Sequence, residues 1–262
     1  MATNKPLVTS RDPIGAQIVS ICAAAFDQSK LDELRTRLLQ KRGGELKARI
    51  AQAIADLTKL PTAHDKAREI MGQNMFGVEE AVKHFGVKPT KKQLAKLADI
   101  PFSPEVLTSV KDTHILVATF PLSITDVRAK MAGRTGQPVF YGQDWYNTEK
   151  FATTKCELGW HLVRKTAVPD STSKSWDEQQ ALLAKDDETP TARVLVYTVV
   201  GHYLATRVRL FPGIWVRCSD VGSGGRRVAV GFFGEGGLRV NDGVGGCRYS
   251  DLAVSSSRKS HS

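Results

Sequence analysis

Cysteine is scarce in these 262 residues, and the four present (Cys22, Cys156, Cys218 and Cys247) are scattered without a CxxC pair. That excludes a disulfide framework or a cysteine zinc site, and it fits free thiols in a reducing compartment. The six histidines have no metal-ligand spacing among themselves or with the cysteines, so no metal or other cofactor is expected. No apolar run approaches the ~20 residues that span a bilayer. The opening MATNKPLVTSRDP lacks the apolar core of a secretory signal, so a cytoplasmic location is the default expectation. The phosphate-loop pattern GxxxxGKS/T is also absent. GSGGRR at 222–227 leads into a strand-like run, not a helix, and is better explained as a tight hairpin turn. No histidine stands where it would activate Cys218 or Cys247. A catalytic thiol is therefore not expected, and the chain is taken as a non-enzyme.

Basic charge is present but not concentrated. The net charge of +10 divides evenly: residues 1–110 hold 17 Lys and Arg against 12 Asp and Glu, and residues 111–262 hold 20 against 15. A diffuse excess of this kind favours solubility over a nucleic-acid groove.

The first hundred residues are helical in pattern. Ile14–Phe26 is an apolar, alanine-rich run behind Asp12-Pro13. Lys30–Arg42 carries Leu31, Leu34, Leu38 and Leu39 on one face and is closed by Gly43-Gly44. Glu45–Leu60 carries Leu46, Ile50, Ile54 and Leu57, and Pro61 stops it. These are helix-on-helix core stripes. Val78–Leu97 has the outline of two helices about a turn at Gly86, the second capped by Thr90 and rich in lysine. A helix-turn-helix shares that outline, which makes nucleic-acid binding through this segment the alternative reading of function. Gln93 and the lysines are its few side chains suited to base edges.

Near residue 110 the texture changes. Strands are expected over His114–Phe120, Val139–Tyr141, Gly159–Arg164, Ile214–Cys218, Val228–Phe233 and Leu252–Ser256. Ser123 with Asp126, and Ser175 with Glu178, form capping boxes; the second opens a helix over Trp176–Lys185. Pro190 starts another, Thr191–Leu204, buried nearly all round. Lys185–Thr189 is expected as a charged turn, and Ser255–Ser262 as a polar tail that frays. The expected fold is α+β, with a helical region over 1–105 and a domain over 106–262 built on an antiparallel sheet. In that sheet Leu252–Ser256 should pair with Gly159–Arg164. Between the last strands, Arg239–Asp251 shows no hydrophobic period and several glycines. Such a segment cannot contribute a core stripe, so its side chains should face water or a partner.

Several runs together carry a resemblance: GWHLVRKTAVPDSTSKSWDEQQALL from Gly159, then ETPTARVLVYTVVGHYLAT, RLFPGIWVRCSD, RRVAVGFF and GLRVNDGVGGCRYSDLAVSSSRKS. Over about residues 110–262 the chain resembles the variable proteins of diversity-generating retroelements, closest to those of small-genome environmental bacteria and archaea. The resemblance implies a C-type lectin fold ending in a variable region, here about 238–252, that binds a protein or other macromolecular ligand. It also implies adenine-directed mutagenesis, by which AAC codons become NNC, a set that excludes Lys, Glu, Gln, Met and Trp. LRVNDGVGGCRYSDL at 238–252 contains none of these, whereas Glu235 stands just before it and Lys259 just after. The ligand-contacting positions so implied are Arg239, Asn241, Gly243, Gly245, Gly246, Cys247, Tyr249 and Ser250. Val244-Gly245-Gly246 stands where the family pattern has an aromatic and acidic cluster. Sulfatase-modifying enzymes share that fold and use cysteines, but a fold does not carry an activity with it.

Overall fold

The computed structural model describes residues 20–57 and 62–259, apart from Cys22, Phe26, Leu31, Arg134, Gln137 and Val244. Most of the expected helix Ile14–Phe26, and the stop at Pro61, lie outside the described residues. The chain divides after Leu60 into two units. In the first, α1 (Glu33–Lys41) and α2 (Gly43–Leu57) form over the expected runs, but Leu38 and Ile50 of the stripes are exposed, so the expected helix-on-helix core is not found among the described residues of this unit. Asp32 caps α1, accepting from the Arg35 amide at 2.8 Å. The Gly43-Gly44 pair opens α2, and the break between the helices falls at Arg42. Pairs one turn apart, Arg37–Glu33 and Arg49–Glu45, lie along the exposed surfaces at 2.6 and 2.9 Å.

The second unit begins with α3 (Ala63–Met71), β1 (Met75–Phe76), α4 (Val78–Phe85), α5 (Lys91–Lys96), α6 (Pro104–Val110), β2 (His114–Thr119) and α7 (Ile124–Met131). It continues through α8 (Lys150–Thr153), β3 (Gly159–Arg164), α9 (Trp176–Gln180), β4 (Asp187–Glu188) and α10 (Ala192–Thr206). It ends with β5 (Trp215–Val221), β6 (Arg227–Gly234), β7 (Gly237–Gly243), β8 (Leu252–Val254) and β9 (Ser257–Arg258). The strands form two sheets, ordered β1-β2-β3-β9-β4 and β7-β6-β5-β8. The class is mixed α+β with mostly antiparallel pairing, although β1–β2 and β5–β8 are parallel. Every residue of α10 from Val194 to Leu204 is buried, because this helix packs on strands of both sheets.

The expected boundary at 105/106 is not where the chain divides, and residues 61–105 are not wholly helical. β1 pairs with β2, and the rings of Phe76 and Phe85 stand 6.0 and 4.6 Å from that of Tyr197 on α10. The apolar stripe of α4 therefore completes the core of the sheet domain, while α3 packs on α6.

Pairing at the C-terminal end is also shifted from expectation. Leu252–Val254 lies parallel to β5, with Trp215 opposite Leu252, and only then do Ser257 and Arg258 pair with Val163 and Leu162 of β3. The chain crosses between sheets at Ser255-Ser256, where the Arg164 amide donates to the Ser256 carbonyl at 2.9 Å. Ser255, Ser256 and Ser257 are small enough to be buried at this crossing. Arg258 is held 3.0 Å from Asp187 and 3.7 Å from Asp186, so the expected frayed tail is ordered through Arg258 and Lys185–Thr189 contributes β4. Two further expectations shorten: Val139–Tyr141 makes a single bridge, Phe140 to Leu238, and the helix from Trp176 stops at Gln180.

Two imidazoles are buried in this unit. Burial pulls His114 down to about 4, helped by Arg164 and Arg258. Burial and then Lys165 pull His202 down to about 4. Both lie below the unfolded value near 6.5, so the native state refuses protons that the unfolded chain accepts. Stability should be complete above about pH 6.5 and decline as the pH falls toward 4, by up to roughly 3 kcal/mol per imidazole. Urea midpoints measured across this window should fall, and fall less in His114→Gln; a midpoint flat to pH 4.5 would contradict the assignment.

Candidate binding face

The site is built on one face of the four-stranded sheet. Because side chains alternate along a strand, register assigns the two faces. Val216, Val230 and Val240 stand in one row, all buried on the side of α10. Trp215, Gly231 and Arg239 form one row of the opposite face, and Arg217, Ala229 and Asn241 form the next. The first five residues of the segment without hydrophobic period, 239–243, are thus strand. Reading from Arg239 concealed this, since the alternation is set by Leu238 and Val240, both buried, with half-buried Arg239 and exposed Asn241 between and beyond them.

After β7 the chain runs irregularly to β8, held through its main-chain carbonyls. Gly245 accepts from the Trp176 amide at 3.0 Å, Tyr249 from the Ser173 amide at 2.9 Å, and Asp251 from the Trp215 amide at 2.8 Å. The Cys247 carbonyl accepts from Nη2 of Arg217 at 2.7 Å. Arg217 is 1% exposed, and its Nη1 also donates to the Lys174 carbonyl at 3.1 Å and to Oε1 of Gln179 at 2.9 Å. Gln179, fully buried, donates in turn to the carbonyls of Ser171 and Leu252 at 2.7 and 3.1 Å. Burial lowers the Arg217 pKa from its ordinary value, but guanidinium stays charged throughout the physiological range. Neither Arg217 nor Gln179 was singled out from sequence, because their partners are dispersed along the chain.

The eight expected positions are all exposed or half-buried, and they do not all converge on one feature. Asn241, Gly243 and Tyr249 line a depression of about 290 Å³ together with Trp215, Arg227, Asp242 and Asp251. Arg227 lies 3.8 Å over the ring of Trp176. Arg239 lies 4.1 Å over the ring of Tyr141 instead, beside the segment whose Gln143 and Trp145 side chains donate to the Val240 carbonyl. Gly246, Tyr249 and Ser250 are exposed, and Gly245 and Cys247 half-buried. Hydrogen bonding to Cys247 raises the Tyr249 phenol. Arg248 reaches Glu178 at 3.1 Å; the Ser175 amide and hydroxyl, and then Arg248, hold that carboxyl below its usual range. Val244 lies outside the described residues.

Cys218 is fully buried and its thiol is pushed far up by burial; Cys156, also buried, is pushed up to about 12. Among the described residues no three His, Cys, Asp or Glu gather as a metal site would need, and no helix is long and apolar enough to cross a membrane. In the segment with the helix-turn-helix outline, α5 is six residues long. Its Gln93, the side chain suited to reading a base, accepts from the Thr90 amide at 2.9 Å in a capping box.

If Arg217 carries the loop, Arg217→Met should cost at least about 3 kcal/mol, since it strips charged donors from buried acceptors. Amide exchange at residues 245–250 should accelerate more than in the sheet core. Wild-type stability with unchanged exchange in the loop would refute that role. Compared with protein-family models, with curated proteins and with solved structures, the chain gives no match to any.

Proposed function

We propose that this chain is a binding protein of the diversity-generating retroelement type, in which a C-type lectin-like fold displays residues 238–252 as an exchangeable recognition surface for a macromolecular ligand. No catalysis is assigned to it. The reading rests on the resemblance and on the codon-compatible composition of 238–252, and the observation that carries it concerns glycine. A Cβ added at Gly243 or Gly246 would meet nothing within 4 Å, and at Gly245 only Cβ of Trp176 at 3.8 Å. None of the three has a positive φ. Before the segment the glycines differ: Gly234 is open and Gly236 meets only the Tyr141 ring at 3.5 Å, but two others are closed by backbone. A Cβ at Gly231 would collide with the carbonyl oxygen of Ile214, and Gly237, at φ 98, presses on the Phe140–Tyr141 backbone. All three glycines within the segment can therefore carry a side chain without meeting backbone.

Recognition by this particular variant would depend on Arg239, Arg248 and Tyr249, since arginine and tyrosine dominate interface hot spots. The depression beside Asn241 and Tyr249 supplies shape, and the glycines leave room. The loop anchors are main-chain acceptors, so they survive substitution of the side chains that would do the recognising.

The test is a library at positions 239, 241, 243, 245, 246, 247, 249 and 250, limited to NNC-encoded residues. Most members should melt within a few degrees of wild type, corresponding to about 1 kcal/mol or less, and selection should yield binders to unrelated protein targets. Gly231→Ala and Val230→Asp should each lose several kcal/mol, the first by backbone collision and the second by burying an unpaired charge. Library members that melt as low as these two controls would make the segment structural and end the proposal.

A further inference from the structure

A second cavity, of about 520 Å³, lies where the end of β3, helix α10 and the connection from α10 to β5 meet the turn after α3. It shares no lining residue with the depression on the binding face. Its volume falls in the range of small-molecule sites, about 300–1,000 Å³. The charge of its lining is one-sided. In two other cavities an arginine is matched by a carboxylate, Arg68 by Glu80 at 2.9 Å and Arg193 by Asp220 at 3.8 Å, while Lys66 lines a third without one. Here the charged residues among the described lining are Lys165 and Arg209, and no carboxylate lines the wall.

From these features we infer that the cavity binds an organic anion with an apolar body, a carboxylate on a hydrocarbon tail, with the Lys165 ammonium as its counter-charge. The ammonium is placed by a short relay. Nδ2 of Asn74 donates to the Lys111 carbonyl at 2.7 Å, which orients the amide so that its Oδ1 accepts from Nζ of Lys165 at 3.3 Å. Lysine has three N–H donors, so an anion can take those that Asn74 does not. Arg209 adds positive potential but is committed to aromatic faces, 5.1 Å from the Tyr203 ring and 5.6 Å from that of Phe233. His202, 5% exposed, lines the cavity and is held neutral at pH 7 by its burial and by Lys165. A neutral imidazole retains one N–H donor and does not compete for the anion as a second charge.

The apolar part is furnished by Leu210, Phe211 and Ile214 from the connection. Phe211 has φ 54, a left-handed conformation that is costly for a bulky residue and that the surrounding fold must impose. Its carbonyl is held by the Phe233 amide at 3.2 Å. The bend lies in the connection whose Leu210, Phe211 and Ile214 give the cavity its apolar lining. A tail is desolvated there while its head group reaches Lys165.

Decanoate, decanol and decyltrimethylammonium, each below its micellar concentration, distinguish the inference from simple greasiness. Titration of the full chain should show saturable binding of decanoate at pH 7.5, with a rise in Tm and a shift of the His202 imidazole resonances. Decanol should bind at least about tenfold more weakly, the worth of a hydrogen bond to a charged group, and the cation should not bind. Lys165→Met should weaken decanoate by at least the same factor with decanol unchanged. Asn74→Asp, which supplies an internal carboxylate to the ammonium, should do likewise. Equal binding of decanol and decanoate, indifference to both substitutions, or no saturable shift at His202 would each overturn the proposal.

Discussion

One buried guanidinium organises the binding face. Arg217 projects from β5 on the side away from the core, where an uncovered sheet face would meet water. Instead it is 1% exposed, because α9 and the loop after β7 close over it. A buried charge is costly unless its donors are met, and here a glutamine amide and two main-chain carbonyls meet them. The cost of separating these partners keeps the loop seated. Peripheral contacts do less: the Arg248–Glu178 pair is well exposed on both sides, and such pairs contribute at most about 1 kcal/mol.

The direction of these hydrogen bonds has a consequence for evolution. Over residues 245–251 the main-chain groups that seat the loop are carbonyl oxygens, which every residue type supplies. The donors are Arg217 and the amides of Ser173, Trp176 and Trp215, all outside the segment. Side-chain identity and loop position are thereby separated. The same separation holds across the sheet, where one face of β5, β6 and β7 packs its valines on α10 while the other carries Asn241 and Arg239 outward. A strand is suited to this because its two faces are independent at every second residue.

Local signals in the sequence were sufficient for the local elements. The apolar run His114–Thr119 and the alternation in Gly159–Arg164 mark β2 and β3, and the capping boxes at Ser123 and Ser175 start helices where expected. Pro190 sets the start of α10, and GSGGRR makes the hairpin between β5 and β6. Non-local choices were not legible. An apolar stripe on α4 says that it packs, but not that Phe85 meets Tyr197. Three consecutive serines suggest a polar tail until Arg258 finds Asp187 on the neighbouring strand. Arg217 and Gln179 are ordinary polar residues in the sequence, and their role exists only once residues 174, 179, 217 and 247 are brought together. Nor could the supports beneath 238–252 be read from composition, since composition says nothing of which carbonyls meet which donors.

The two cavities meet at a single peptide. Ile214 lines the apolar cavity and Trp215, the next residue, lines the depression on the binding face. That junction is fastened on both sides: the Ile214 carbonyl accepts from the Phe232 amide at 3.1 Å, and the Trp215 amide donates to the Asp251 carbonyl at 2.8 Å. Gly231 lies against the same Ile214 carbonyl, so close that any side chain there would displace it. Communication between sites needs an element with two arrangements whose balance both ligands shift. A peptide held by hydrogen bonds on either side and by a backbone contact beneath has one arrangement. The geometry therefore favours independence of the cavity and the depression: a change of side chains around one leaves the shape of the other unaltered.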